Sequence, residues 1–487
     1  MKMFSFLSMN LLKLNSSILF ALALLIASTS LAGDLEWSGI YRVEGQWLNQ
    51  PTLDRDVGTR KEYGVHTLIL RPKIVAADGL YISGQINVFN EGSADGSNQL
   101  GDYFGGGLDG SPYSNTLSES QKQNKIRLSQ YYLTYAQEYA SLIVGRAPIH
   151  FGLGMTHNAG RGMYDHFSDT RDMVGYKMIL GNFFFLPFYS KIDEGDIAGY
   201  DDINELSLQL QYENPESDAA MGVLYQNRES GQGGQGSDIG PAEALGGAGS
   251  TYNGNLNAKL FNIFYRKEST NYSVGFEVAQ QSGDVGVRSG AGQNMTYGGF
   301  GGLIEYEYHP VGKKKSYGFK LGYATGDDPS TTGEYEGFIF DRNYDVAMFL
   351  FNHPLGQADL FHTRPLTIGN NTDSYSVVYE QPDIEAVSNI TFLSTYFKHK
   401  WSDKWSMVGV LTTGLLDDDT VDVGGTPFSA DANVGYELNF SFIYSVSEKI
   451  NWVNQIGYFE PGKAWEVDTN FETDSMYGFV SKAAVSF

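Results

Sequence analysis

Residues 204–214, NELSLQLQYEN, set Leu206, Leu208, Leu210 and Tyr212 against Glu205, Ser207, Gln209 and Gln211. A period of two with one apolar row and one polar row is a strand with two unlike faces. VGYELNFSFIYSV at 434–446 repeats the pattern, and so does YGFKLGYATG at 317–326. Roughly eighteen such segments run from 35–48, through 272–281 and 385–401, to 476–487. Their connectors alternate as well. Short ones (AADG at 76–79, GN at 181–182, KESTN at 267–271, WSDK at 401–404, SEK at 447–449) take turns with long ones, such as 91–124, 151–169, 229–255 and 327–384.

Tight turns at one end and long loops at the other predict an all-β fold, a transmembrane antiparallel barrel of about 18 strands (16–18). A soluble β-sandwich also alternates, but nothing requires its connectors to take turns. In lipid a sheet must close on itself, because no solvent satisfies an open edge. An even strand number returns both ends to the short-turn, periplasmic side. The strand at 476–487, MYGFVSKAAVSF, then closes the cylinder against 35–48. Its final Phe487 resembles the signal read by outer-membrane assembly machinery.

Composition supports strands over helices: 58 Gly, 32 Tyr and 30 Phe stand against 14 Pro, at a mean hydropathy of −0.27. Nothing after residue 32 approaches the ~18 uninterrupted apolar residues of a membrane helix. Trp37, Tyr41, Trp47, Tyr306, Tyr308, Trp401, Trp405 and Trp452 lie near strand ends and read as interfacial girdles.

At the other end of the chain, Lys2 and Lys13 precede the apolar run ILFALALLIA at 18–27 and the small residues STSLA. That order is a secretory signal peptide, assigned to 1–32, leaving 33–487 as the barrel; the internal Met9 offers an alternative start. The formal charge is −24, and removing two lysines with the signal gives −26. A strongly acidic exported chain is a poor nucleic-acid binder. Zero cysteine excludes disulfides and thiolate metal sites.

Turning the apolar rows to lipid turns Arg42, Arg71, Lys73, Arg127, Arg171 and Lys177 into the lumen, with Arg266 and Lys320 further along. Charge on the lipid side would cost ~2–4 kcal/mol per residue at mid-membrane. Glu205, Glu277, Glu305, Glu307 and Glu437 also face inward, giving a basic arc and an acidic arc. Such a wall either orients solutes or neutralises itself. The loop clusters at Asp193, Glu194 and Asp196, Asp327 and Asp328, and Asp417 to Asp419 read as solvated surface, with no metal or cofactor expected.

Two loops carry more than polar filler. APIHFGLGMTHNAGRGMYDHFSDT, 147–170, holds His150, His157, His166, Asp165, Ser168 and Asp169. Without a GxSxG elbow or HExxH motif, these do not define a hydrolase. Residues 338–370, within the long loop 327–384, are too apolar for a free loop and are expected to pack at the barrel mouth or in its lumen, bringing Arg342 and Arg364, with His353 and His362, toward solute.

IVGRAPIHFGLG at 143–154, DTRDMVGYKM at 169–178 and MFLFNHPLGQADLF at 348–361 resemble segments of the alginate-export family of eighteen-stranded outer-membrane barrels. The resemblance covers about a fifth of the chain. It implies an arginine-rich conduit for an anionic solute, with Arg146, Arg171 and His353 as the carried-over positions. The glutamates of the later wall depart from that pattern.

The expectation is therefore a non-enzymatic channel of the cell outer membrane for passive diffusion of small hydrophilic solutes, anionic ones included. Lipid, lipopolysaccharide and the assembly machinery are its expected partners, and the oligomeric state is left open. A plugged barrel serving as an adhesin or structural protein is the alternative, and a barrel hydrolase the third reading.

Overall fold

The computed structural model describes residues 34–88, 126–193, 202–230, 245, 249–328, 331–363, 385–423, 426–467 and 472–487. The segment 1–32 expected to be a signal peptide and Arg364 lie outside them, as does the Arg127 side chain. Eighteen antiparallel strands close into a barrel. They are β1 Asp34–Asn49, β2 Arg60–Ala77, β3 Leu80–Val88, β4 Ile126–Ala136, β5 Ala140–Pro148, β6 Thr170–Leu180, β7 Phe183–Asp193, β8 Ile203–Asn214 and β9 Ala219–Ser230. The circuit continues with β10 Asn257–Glu268, β11 Tyr272–Arg288, β12 Phe300–Tyr308, β13 Lys315–Ala324, β14 Ile390–Lys400, β15 Trp405–Leu416, β16 Asn433–Ser447, β17 Ile450–Pro461 and β18 Met476–Ser486.

Closure runs from Ile40 opposite Ser486 to Asn49 opposite Tyr477. Gly39 and Phe487 extend it by exchanging both backbone hydrogen bonds at 3.0 Å. Neither edge is left open, which is the condition lipid imposes.

The two rows separate as their polarity demands. Leu206, Leu208, Leu210, Leu438, Phe440, Phe479 and Val485 stand exposed on the outer face, while Glu205, Ser207, Gln209, Glu437 and Asn439 are buried inside. Exposed Trp37, Tyr308, Trp401, Trp405 and Trp452 ring the short-turn end. The apolar belt makes this a transmembrane barrel whose outer surface meets lipid.

Two strands depart from their expected bounds. The segment expected at 272–281 continues to Arg288 because the chain rises beyond the belt into an external hairpin, pairing with Asn294–Tyr297 across a register shift. The one expected from 385 begins at Ile390: Asn389 turns at φ 52°, and Val387 O accepts the amide of Phe340 at 2.9 Å. Residues 385–389 thus belong to the neighbouring loop.

That loop is inside the barrel. Phe338, Phe340, Val346, Phe349, Leu350, Phe351, Leu360 and Phe361 are buried in one cluster with the inward residues Leu48, Leu303, Ala324, Phe392, Leu416, Phe459 and Val480. The largest apolar core of the protein therefore fills part of its lumen.

Candidate functional site

Three groups on the wall fasten the segment from Val346 to Leu350. Glu437 accepts the amides of Met348, Phe349 and Leu350 at 2.6, 2.9 and 2.8 Å. Ser394 and Thr412 donate to Val346 O at 3.3 and 3.4 Å. A carboxylate taking backbone N–H groups is a charge-assisted acceptor, stronger than a neutral one. Phe349 then seats against bare backbone: a Cβ at Gly457 would lie 2.6 Å from its ring, and one at Gly478 2.9 Å.

The loop from Ile149 to Asp169 crosses the lumen between two other carboxylates. Glu277 on β11 accepts Leu153 N at 2.6 Å and Asn262 Nδ2 at 2.7 Å. Phe151 packs edge-on against Phe264 at 5.0 Å, and Leu153 lies over Gly275. At the far end, His166 Nε2 meets Glu44 on β1 at 2.7 Å. Arg42 donates to Asp165 O at 2.5 Å, and its Nε lies 3.1 Å from Glu44; Arg71 donates to Gly160 O at 3.3 Å.

The two loops also hold each other. Asn343 Oδ1 accepts the amides of His166 and Phe167 at 3.1 and 3.0 Å, its Nδ2 donates to Phe167 O, and Asp341 N donates to Met155 O at 2.7 Å. Burial, with Asp169 nearby, pushes the Asp341 carboxyl well above the ordinary range. Burial likewise lowers His157 to about 4, so this loop imidazole is neutral at pH 7.

The anticipated basic residues thus divide by what they touch. Arg42 and Arg71 hold the crossing loop rather than lining open space. Arg171 and Arg228 both bind Glu205, with Nε–Oε1 at 3.1 Å and Nη2–Oε2 at 2.9 Å respectively, leaving one net positive charge. Lys73 pairs with Glu36 at 2.9 Å near the short-turn end, and Lys177 sits 3.8 Å from the centre of the Phe184 ring. Arg342 lies over Phe167, and His353, buried, donates its amide to Phe349 O. Lys320 donates to Asp345 O at 2.8 Å and lies 3.4 Å from Glu305. Arg127 stands opposite Asn87 on the strand ladder.

Arg146 corrects the expectation. It shares the outward row with exposed Val144, and its guanidinium meets Asp172 on the outward row of β6 at 2.7 and 2.5 Å. Both rows of 140–148 are largely apolar, so alternation alone does not reveal which faces lipid. The bidentate pair with Asp172 neutralises the charge there.

Of the expected acidic arc, Glu305 and Glu307 border the larger cavity, where they pair with Lys320 and Lys398, while Glu205, Glu277 and Glu437, like Glu44, do not face open space. Each of these last four is buried and turned to the protein's own amides, imidazole or guanidinium groups. Sequence reasoning passed over Arg228 and Asn343. Arg228 is legible in hindsight, since Met221, Val223 and Tyr225 define its strand's outward row; Asn343 carries no pattern.

Between the loops and the β8–β13 wall the lumen stays open at two levels. A cavity of about 180 Å³ on the long-loop side is bounded by His157, Gln226, Arg228, Gln281 and Tyr297. One of about 610 Å³ reaches the short-turn mouth at Asp218 and is bounded by Arg266, Ser273, Glu305 and Lys320. Thr156 lines the first and Leu153 the second, so the strip held on Glu277 separates them. A smaller space of about 120 Å³ lies between the loops near Lys482. Among the described residues no group of three or more His, Asp and Glu is arranged to hold a metal ion.

No family model and no curated protein matches the chain. Solved structures similar to it include a BenF-like porin from Pseudomonas fluorescens Pf-5 (10% identity, TM-score 0.49, 93% of this chain and 98% of that one). OccK2 (OpdF) of Pseudomonas aeruginosa matches at 10% identity and TM-score 0.49, over 93% and 98%. OpdK of the same species, solved with vanillate, matches at 11% identity and 0.47, over 93% and 99%. A closed strand barrel with an apolar belt and short turns on one side places this chain in the cell outer membrane.

Proposed function

We propose that the protein is an outer-membrane channel for small hydrophilic solutes, anions among them, whose lumen is narrowed to one arc. The observation that carries this is the unequal filling: the segment from Val346 to Phe361 packs the β14–β18 wall, while cavities remain along β8–β13. Solute would descend past Arg228, slip by the strip from Leu153 to Thr156, and leave through the larger vestibule. The net positive charge at Glu205, Arg171 and Arg228 favours anions at the outer level.

Selectivity on this reading comes from loop constriction and wall charge, and no chemical step is needed. Two of the three histidines of the crossing loop have other partners: His157 Nδ1 contacts Thr156 Oγ1 at 3.1 Å and His166 contacts Glu44. The three segments that resemble alginate-export barrels make an anionic saccharide a cargo worth comparing with smaller anions. Planar-bilayer recording of the purified barrel tests the reading, and absence of stepwise conductance with the fold intact would sink it.

A plugged structural barrel is the second reading, favoured by the extent of the apolar cluster in the lumen. Liposome swelling separates the two. A plugged barrel admits arabinose-sized solutes only after 338–361 is deleted, whereas a narrowed channel admits them before.

A further inference from the structure

The short turns of the barrel differ in charge around its rim. Those at 78–79, 137–139, 181–182 and 215–218 carry Asp78, Glu138, Glu216 and Asp218, with no lysine or arginine. The turns at 309–314 and 401–404 instead carry Lys313, Lys314 and Lys404 against Asp403 alone, and Lys315 opens β13 directly after the first of them. In a chain of formal charge −24 this sector is an exception.

The two basic turns make one surface. Lys400 N donates to Lys314 O at 2.7 Å, and Lys314 Nζ donates to Trp401 O at 3.1 Å. Asp403 is taken by Lys400, 3.6 Å away. Lys313, Lys314, Lys315 and Lys404 are all exposed and form no ion pair with a described residue. Like charges gathered on one face repel unless an anion lies among them.

That face continues onto the lipid side of the barrel. Lys315 shares the outward row of β13 with exposed Tyr317, roughly 7 Å further along the strand, and stands opposite His399. Trp401 and Trp405, exposed beside it, lie against the outward rings of Phe442 at 6.2 Å and Tyr444 at 4.7 Å. Interfacial aromatics mark the depth of the headgroups, so lysines one step beyond them stand level with lipid phosphates.

We propose that Lys313, Lys314, Lys315 and Lys404, with Trp401 and Trp405, form a binding site for the headgroup of an anionic phospholipid in the periplasmic leaflet. Lysine stems can lie along the rings while the ammonium groups reach the phosphate. A soluble anion would need the lysines alone, whereas here cations and lipid-facing indoles occupy one face. The site is outside the lumen and does not depend on conduction.

Native mass spectrometry of the folded full chain in detergent, titrated separately with phosphatidylglycerol and phosphatidylcholine, tests the site. Wild type should retain phosphatidylglycerol fivefold or more over phosphatidylcholine, and the preference should shrink at high ammonium acetate. Replacing the four lysines together, Lys313→Gln, Lys314→Gln, Lys315→Gln and Lys404→Gln, should bring the two lipids within twofold, while the corresponding four Lys→Arg changes should keep the preference. Trp401→Ala with Trp405→Ala should weaken phosphatidylglycerol retention threefold or more. Equal retention of both lipids by wild type, or an undiminished preference in a four-Gln variant that keeps heat-modifiable mobility, would overturn the site. Displacement of the lipid by free glycerol phosphate, with full retention in the double Ala variant, would give the lysines to a soluble anion and also overturn it.

Discussion

Glu437 Oε1 lies 2.9 Å from the amide nitrogen of Phe349, 88 positions away in the chain. The carboxylate belongs to the wall and the amide to a loop, so the barrel holds part of its own chain as a ligand. Glu277 does the same for Leu153 at 2.6 Å. Inward glutamates here shape the lumen by fastening loops, and solute meets the surfaces those loops leave bare.

Glu437→Gln should loosen the strip from Val346 to Leu350, since an amide offers one neutral oxygen where the carboxylate takes three N–H groups. The loss should be about 1.5–3 kcal/mol of docking. Unitary conductance in planar bilayers should rise and become noisier. Unchanged traces would show that this carboxylate does not hold the constriction.

Filling the seat of Phe349 should act in the same direction by another route. Gly457→Val places carbon where the ring now lies, 2.6 Å from a Cβ. Phe349→Ala empties the seat and should cost ~3–5 kcal/mol of packing. Both should expose residues 338–361 to external protease in folded barrels that resist cleavage when wild type.

Arg42→Ala tests stability instead of selectivity. It leaves Glu44 fully buried beside His166 and cuts the bond to Asp165 O. Breaking one side of a buried pair costs ~3–5 kcal/mol when the remaining charge has no other partner, and the cost here should be smaller because Lys482 Nζ stays 3.7 Å from Glu44. Urea midpoints in detergent should fall, while the anion-to-cation permeability ratio of the surviving channels should change little.

The share of the crossing loop's docking that depends on a neutral His157 should be lost on acidification. His157 is held at about 4, chiefly by burial, against an ordinary value of 6.5. Its contribution is complete above pH 6.5 and lost as pH falls through 4, roughly 3 kcal/mol in all. Because the raised Asp341 carboxyl acts in the opposite sense over the same window, the test is the difference between proteins: from pH 6.5 to 4, cleavage within 149–169 should rise more in wild type than in His157→Gln.

Much of the fold was legible because alternation reports a real boundary, lipid on one side and protein or water on the other. Leu206, Leu208 and Leu210 could face only one way. The apolar excess of 338–361 likewise pointed to a packed loop, since Phe349 and Phe351 could not stay in water. Partners were not legible: nothing at Glu437 distinguishes an acid that meets solute from one that meets Met348, Phe349 and Leu350. Arg146 was assigned from the resemblance alone, and alternation offered no check on it, because Ser141, Ile143 and Gly145 are hardly more polar than Leu142 and Val144.

The central claim is that solute passes along β8–β13 and not along the filled wall. The native chain has no cysteine, so single replacements can be labelled against a silent background. Gln281→Cys and Ser273→Cys border the two cavities, whereas Ser394→Cys and Thr412→Cys lie under Val346. A charged methanethiosulfonate reagent should cut conductance by more than half at the first pair and leave the second unmodified. Block at Ser394→Cys and Thr412→Cys, with none at Gln281→Cys and Ser273→Cys, would contradict the account.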